Sequence, residues 1–287
     1  MTLADLLAVR FPTAKRTTLR RMVASGRVSV NGRVATRFNT AVKPDDKIDV
    51  TDHQPVAPPA PWPAAAALDI VFEDDHVLIV NKPAGLLTST VPREPRPTLL
   101  AMVRDDQARR NPRARVGLIH RLDRDASGLL VFSKSDLAYK SLKTQFFHHN
   151  VERVYHAIVR GTPSPPAGRI ESRLVERADG TVHTSHQAGR GDFAVTDYEL
   201  VRTAGRLSLV RVMLHTGRKH QIRVHLSARN WSILGDAVYG HGEKTPPQTR
   251  LMLIATRLGF KHPQMGHAVG IDLPLPPDMA ALVPQSE

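Results

Sequence analysis

The sequence predicts an α+β chain in two units, a small basic one followed by a larger, strand-rich one. Three observations carry this reading. Proline and alanine crowd residues 51–67, TDHQPVAPPAPWPAAAA; closely spaced proline continues neither a helix nor a central strand, so the stretch reads as a semi-extended linker between 1–50 and 68–287. Within 68–287, strand-like segments outnumber helical ones, and their order is mixed rather than a regular strand–helix alternation. With 287 residues, 41% of them hydrophobic, the chain also has ample apolar material for a core.

In the first unit, Leu3, Leu6 and Leu7 have the spacing of an amphipathic helix. TTLRRMVASG predicts a second helix that begins near Thr17 or Thr18, stops at Gly26 and packs Leu19, Met22 and Val23 inward. VSVNGRVA then reads as two short strands around an Asn31-Gly32 turn, a dipeptide that accepts the positive φ angles of a tight hairpin. Lys15, Arg16, Arg20, Arg21 and Arg27 surround and occupy the second helix as a candidate phosphate-facing strip. Any one of these charges would equally suit a solvated helix face.

In the second unit, LDIVFEDDHVLIVNKP, GLLVFSKS, VYHAIVRG, AVTDYELV, RLSLVRVMLHTG and HQIRVHL are strand-like. One helix is expected over SDLAYKSLKTQFF, with Leu137, Leu142 and Phe146 on one face and Ser135 as its cap. There is no internal repeat and no convincing dinucleotide-binding fingerprint.

Composition narrows the function. The chain has no cysteine, which excludes a disulfide scaffold, a thiol nucleophile, and Cys-ligated zinc or iron–sulfur sites. MTLADLLAVRF lacks the basic-then-apolar pattern of an export signal, and no apolar run approaches the roughly 20 residues of a membrane span, so a soluble, cytoplasmic protein is expected. A net charge of +13 attracts polyanions, and ten basic against four acidic residues in the first 50 place nearly half of that excess there.

The densest polar cluster set against an apolar strand is HRLDRDASGLLVFSKS, residues 120–135. His120, Arg121, Asp123, Arg124 and Asp125 precede Gly128 and the run Leu129–Leu130–Val131–Phe132, and polar residues at the lip of a rigid strand favour a site. Asp123 suits a nucleophile or base kept ionised by a neighbouring arginine, and equally a turn-stabilising ion pair. A metal reading would use His120, Asp123 and Asp125, but it lacks a clear fourth ligand and the adjacent arginines would repel a cation. Tyr155, taken alone, reads as a half-buried strand tyrosine. In LHTGRKHQIRVHL, strand alternation would send Ile222, Val224 and Leu226 to one side and Gln221, Arg223 and His225 to the other, leaving Arg223 to face a polar cleft.

Two resemblances give these residues roles. The basic helix followed by Gly26, Val28, Val30, Asn31 and Gly32 resembles the S4 RNA-binding domain, which implies docking on folded RNA through phosphates. HRLD, with its following RDASG, resembles the signature of the RluA-type pseudouridine synthases. EDDHVLIVNKPAGLL, VERVYHAIVRG, LHTGRKHQIRVHL, SILGDAVYG and LMLIATRLGFKHP match further segments in the same order. That resemblance implies Asp123 as catalytic carboxylate, Tyr155 at the active site and Arg223 paired with Asp123. It leaves Arg121, Arg218 and Lys219 for RNA contact, Lys82 and Pro83 as scaffold, Gly235, Asp236 and Gly240 to shape turns, and Asp125 without a chemical role. The sequence departs from the family at Ile254, where histidine is common, and at Asn230–Trp231–Ser232, in place of a small-residue and proline pattern.

The implied fold is a mixed catalytic domain around an extended, largely antiparallel sheet, plus a small α/β S4-like domain. The implied reaction isomerises uridine in structured RNA to pseudouridine with no cofactor and no metal, ribosomal RNA being the leading substrate and transfer RNA an alternative. Attack of Asp123 on the sugar, addition to the base and abstraction of a ribose proton are all open. A noncatalytic RNA-binding or ribosome-assembly protein and a metal-dependent nuclease are the competing readings.

Overall fold

The computed structural model describes residues 2–14, 16–24, 28–35, 38–43, 45–50, 67–90, 97–185, 187, 189–240 and 249–284. Nearly all of the proline-rich stretch, 51–66, lies outside them. The chain divides into two compact units, Met1–Pro61 and Trp62–Glu287.

The first unit contains α1 (Leu3–Arg10), α2 (Arg16–Ala24), β1 (Val28–Val30), β2 (Arg33–Val34) and β3 (Ile48–Val50). Thr2 and Asp5 form a reciprocal capping box on α1. Asn31 and Gly32 both take positive φ, 51° and 76°, as the β1–β2 hairpin requires. Leu3 and Leu7 meet Leu19, Met22 and Val23 over Val28 and Ile48 in a core of their own. Gly26, expected to end α2, lies outside the described residues.

The second unit runs β4 (Ile70–Glu73), β5 (Val77–Lys82), α3 (Leu99–Arg110), β6 (Gly117–Leu118), β7 (Ser127–Ser133), α4 (Asp136–Phe147), β8 (Glu152–Arg160), β9 (Ala167–Glu176), β10 (Val182–Ser185), β11 (Asp192–Ala204), β12 (Leu207–Leu214), α5 (Gln221–Ser227), β13 (Leu253–Lys261), β14 (Ala268–Asp272) and α6 (Pro277–Leu282). The strands form one 11-stranded sheet in the order β10-β9-β11-β12-β8-β13-β7-β5-β4, with β14 on β13 and β6 on β7. Every pairing is antiparallel except β13 with β7. At that parallel join Gly128 pairs with Ala255. Its φ is +108°, and a Cβ there would overlap the Ala255 carbonyl, so glycine is required by conformation and by space.

Period-two alternation sorts the central strands onto two faces. Leu78, Val80, Leu130 and Phe132 pack with Leu99 and Val103 of α3, whereas Val77, Ile79, Leu129 and Val131 pack with Ala138 and Leu142 of α4. Ser135 caps α4 by accepting the Ala138 N–H. Leu137 does not share the buried face with Leu142: the two are five residues apart, well off a common helical stripe, and Leu137 is exposed.

Candidate active site

The residues before β7 form a loop clamped from beneath by the segment after β5. The Lys82 ammonium is fully buried and donates to the carbonyls of Pro83 (2.9 Å), Leu86 (2.8 Å) and Arg124 (2.9 Å). Gly85 N–H also donates to Arg124 O at 2.9 Å, and the Thr88 hydroxyl donates to Leu122 O at 2.8 Å. Burial pushes the Lys82 pKa down to about 7, against the opposing charges of Asp125 and Asp123. With Leu122 anchored inward, Asp123 stands half-buried at the lip, while Asp125 is held by the Arg124 guanidinium at 2.8 and 2.9 Å.

Arg223 reaches Asp123 from a helix. The expected strand over HQIRVHL is corrected here: Gln221–Ser227 is α5, with all seven residues buried. An element enclosed on every side shows no amphipathic stripe, and its β-branched Ile222 and Val224 imitate strand alternation. Gln221 fixes the start of the helix by accepting from the Thr216 hydroxyl (2.8 Å) and Arg218 N–H (3.0 Å). From α5, Arg223 donates through Nη1 to Asp123 Oδ2 at 3.3 Å, and through Nε and Nη2 to the two oxygens of Asp236, each at 2.8 Å. Asp236 also accepts the N–H groups of Val238 and Tyr239. It does shape the expected turn, and it also anchors the arginine that contacts Asp123.

Both partners of this buried pair are held charged. Burial favours the neutral form of Arg223, but the hydrogen bonds and charge of Asp236, reinforced by Asp123, carry its pKa above the ordinary arginine value. Burial likewise raises Asp236, and Arg223 with the two backbone donors more than offsets this, leaving its pKa below the usual carboxylate range.

Tyr155 enters from β8, nearly enclosed, with its phenol pKa raised by burial. Asp123, Tyr155 and Arg223 line a single cleft of about 680 Å³. Six arginine and lysine side chains line it, at 121, 143, 153, 218, 219 and 223, against one carboxylate, Asp123, among the described residues. The arrangement concentrates positive potential around a lone anionic group beside an aromatic ring.

Residues 76–228, just over half of the chain, match the family model for RNA pseudouridylate synthase. The chain belongs to this family. Residues 1–48 match the S4 domain, so the protein is an RluA-type pseudouridine synthase with an S4 RNA-binding domain ahead of its catalytic domain. It is similar to the ribosomal large subunit pseudouridine synthase D of Zymomonas mobilis, with 37% identity over 96% of this chain and 90% of the relative. It is also similar to an uncharacterized RNA pseudouridine synthase, YlyB, of Bacillus subtilis, with 36% identity over 93% and 88%. Among solved structures, human RNA pseudouridylate synthase domain containing 1 aligns with a TM-score of 0.61 and 25% identity over 76% of this chain and 88% of that one.

The synthase places its remaining expected site residues unevenly. Arg121, Arg218 and Lys219 are exposed cleft residues; Arg218 donates to Phe193 O at 3.2 Å, and Lys219 pairs with Glu176 at 2.6 Å. Arg16 and Arg20 are exposed on α2, their guanidinium groups 6.0 and 5.5 Å from the Phe38 ring centre. Lys15, Arg27 and the side chain of Arg21 lie outside the described residues.

His120, Asp123 and Asp125 do not assemble into a metal site. His120 Nε2 accepts the Val131 N–H at 3.2 Å, its ring stacks on Phe146 at 4.5 Å, and burial with Arg153 and Lys143 pushes its pKa down to about 3. Asp125 is occupied by Arg124, and among the described residues no cluster of three or more ligating side chains is placed to hold a metal.

Proposed function

We propose that this synthase isomerises a uridine of large-subunit ribosomal RNA, with Asp123 supplying the carboxylate chemistry. The observation that carries the assignment is the lone carboxylate of the basic cleft, 3.3 Å from an arginine itself locked by Asp236. The ribosomal target is supported by the name of the Zymomonas relative, alike over nearly its whole length, and by the S4 domain.

Arginine and lysine side chains at the rim hold phosphates, and the target nucleotide turns out of its stack into the cleft at a cost of a few kcal/mol, least for an unpaired loop or bulge. The N1–C1′ bond breaks, the uracil turns, and C5 bonds to C1′; C5 gives up its proton and N1 gains one, so no atoms are gained or lost. Asp123 acts at the sugar or base, Tyr155 stacks on the uracil and shares its hydroxyl proton, and Arg223 orients the carboxylate.

The test is a pseudouridine map of total RNA with and without active protein, followed by reaction of the purified chain on the site that is lost. A lost site in large-subunit ribosomal RNA, restored by the wild-type chain and not by Asp123→Asn, is the expected result. Normal turnover by folded Asp123→Asn overturns the role of that residue, and a lost site in transfer RNA overturns the substrate.

A further inference from the structure

The Tyr239 hydroxyl links the backbone to the cleft. Among the described residues it has two hydrogen-bonding partners, Val182 N–H and His220 Nδ1, each at 2.8 Å. Burial raises the Tyr239 pKa, so the phenol keeps its single proton. Val182 N–H can only donate, so it takes one acceptor site of the oxygen and leaves the phenol proton available to His220 Nδ1. When that proton is given to Nδ1, the proton of the neutral imidazole resides on Nε2.

The backbone is shaped to present this ring. His220 precedes α5 in the left-handed region, φ 54° and ψ 18°, and its side chain makes no capping hydrogen bond. A non-glycine residue there is strained, and it is held because Gln221 is bound on both sides of its amide. Gln221 Nε2 donates to Val195 O and Thr196 Oγ1, while its Oε1 receives Thr216 Oγ1 and Arg218 N–H.

The half-buried ring lines the cleft with Asp123 and Arg223, and no partner for Nε2 occurs among the described residues. Burial, Arg223 and Lys219 together disfavour protonation more than Asp123 and Asp236 promote it. A cation at this position would compete for Asp123, whereas a neutral donor leaves that carboxylate free.

We propose that His220 is a substrate-reading residue whose Nε2–H donates to an oxygen acceptor of the nucleotide held against Asp123, a uracil carbonyl or an adjoining phosphate. The assignment rests on the synthase reading above and adds a residue to it.

Long-range ¹H–¹⁵N spectra of the full chain at pH 7, with His220→Gln identifying the resonance, report the tautomer without reference to activity. The expected result is a bare Nδ1 and protonated Nε2, lost in Tyr239→Phe. With the RNA identified by the pseudouridine map, His220→Phe is expected to lower kcat/KM about tenfold, and His220→Gln, which keeps an N–H near Nε2, to recover most of it.

The wild-type penalty for 2-thio- or 4-thiouridine at the target disappears in His220→Phe if a carbonyl is read. The penalty for an adjoining methylphosphonate disappears if a phosphate is read. An Nδ1–H tautomer or an imidazolium at pH 7 overturns the proposal, as does activity of His220→Phe within twofold of wild type, or a loss coupled to none of the three substitutions. Wild type that makes no pseudouridine on any RNA overturns the functional reading instead and leaves the spectroscopic result standing.

Discussion

A single arginine joins the chemistry of this cleft to the interior. Because Asp236 holds two of the Arg223 nitrogens and leaves Nη1 for Asp123, Asp236→Asn removes the charge that fixes the guanidinium. Breaking one side of a buried pair costs about 3–5 kcal/mol. Urea unfolding should show that loss, and kcat at a temperature where the variant is fully folded should fall about 100-fold with little change in KM, because misplacing a catalytic group acts on the transition state. His120 gives a pH-dependent counterpart. Burial, with the charges of Arg153 and Lys143, holds its folded pKa at about 3, below the ordinary 6.5, and the unprotonated Nε2 accepts the Val131 N–H. The unfolded chain takes up a proton that the folded chain refuses, so stability is fully present above pH 6.5 and declines as pH falls toward 3. His120→Gln should flatten that decline by on the order of 3 kcal/mol in denaturation curves across pH 7 to 3.

At the scale of elements, the structure is most legible where burial leaves one periodicity exposed to view. β5, β7 and β8 are evident as apolar runs, and Ser135 marks the start of α4. α3 is absent from the sequence reading because only Leu99, Val103 and Gln107 of it are fully buried, and its many charges hide so thin a stripe. α5 is read as a strand because it is enclosed on every side. The family resemblance singled out Asp123, Tyr155 and Arg223, but Asp236 looked like a turn residue: its bond to Arg223 spans two elements, and no local pattern records it. The join of β7 with β13 offers an element-scale prediction. Gly128→Ala puts a methyl group into the Ala255 carbonyl at a φ of +108°, and should cost more than about 2 kcal/mol in urea unfolding while lowering activity, since the Asp123 loop enters the sheet there.

The two units have separate cores, and the proposed catalytic groups belong entirely to the second. A chain beginning at Trp62 should therefore fold and retain the residues of the cleft while losing the basic α2 surface. Its affinity for structured RNA should weaken, and the dependence of log K on log salt should become shallower by about 0.7–0.9 for each phosphate contact removed, as filter binding across a salt series would measure. An unchanged slope would mean that the first unit makes no phosphate contacts.

The sheet order also sets a timetable for synthesis. β13, at residues 253–261, is the strand between β7, which follows Asp123, and β8, which carries Tyr155. A growing chain makes both flanking strands about a hundred residues before the strand that brings them into one sheet. Until that segment emerges, the nascent protein has the residues of the cleft without the sheet that brings them together, so RNA chemistry must wait for β13.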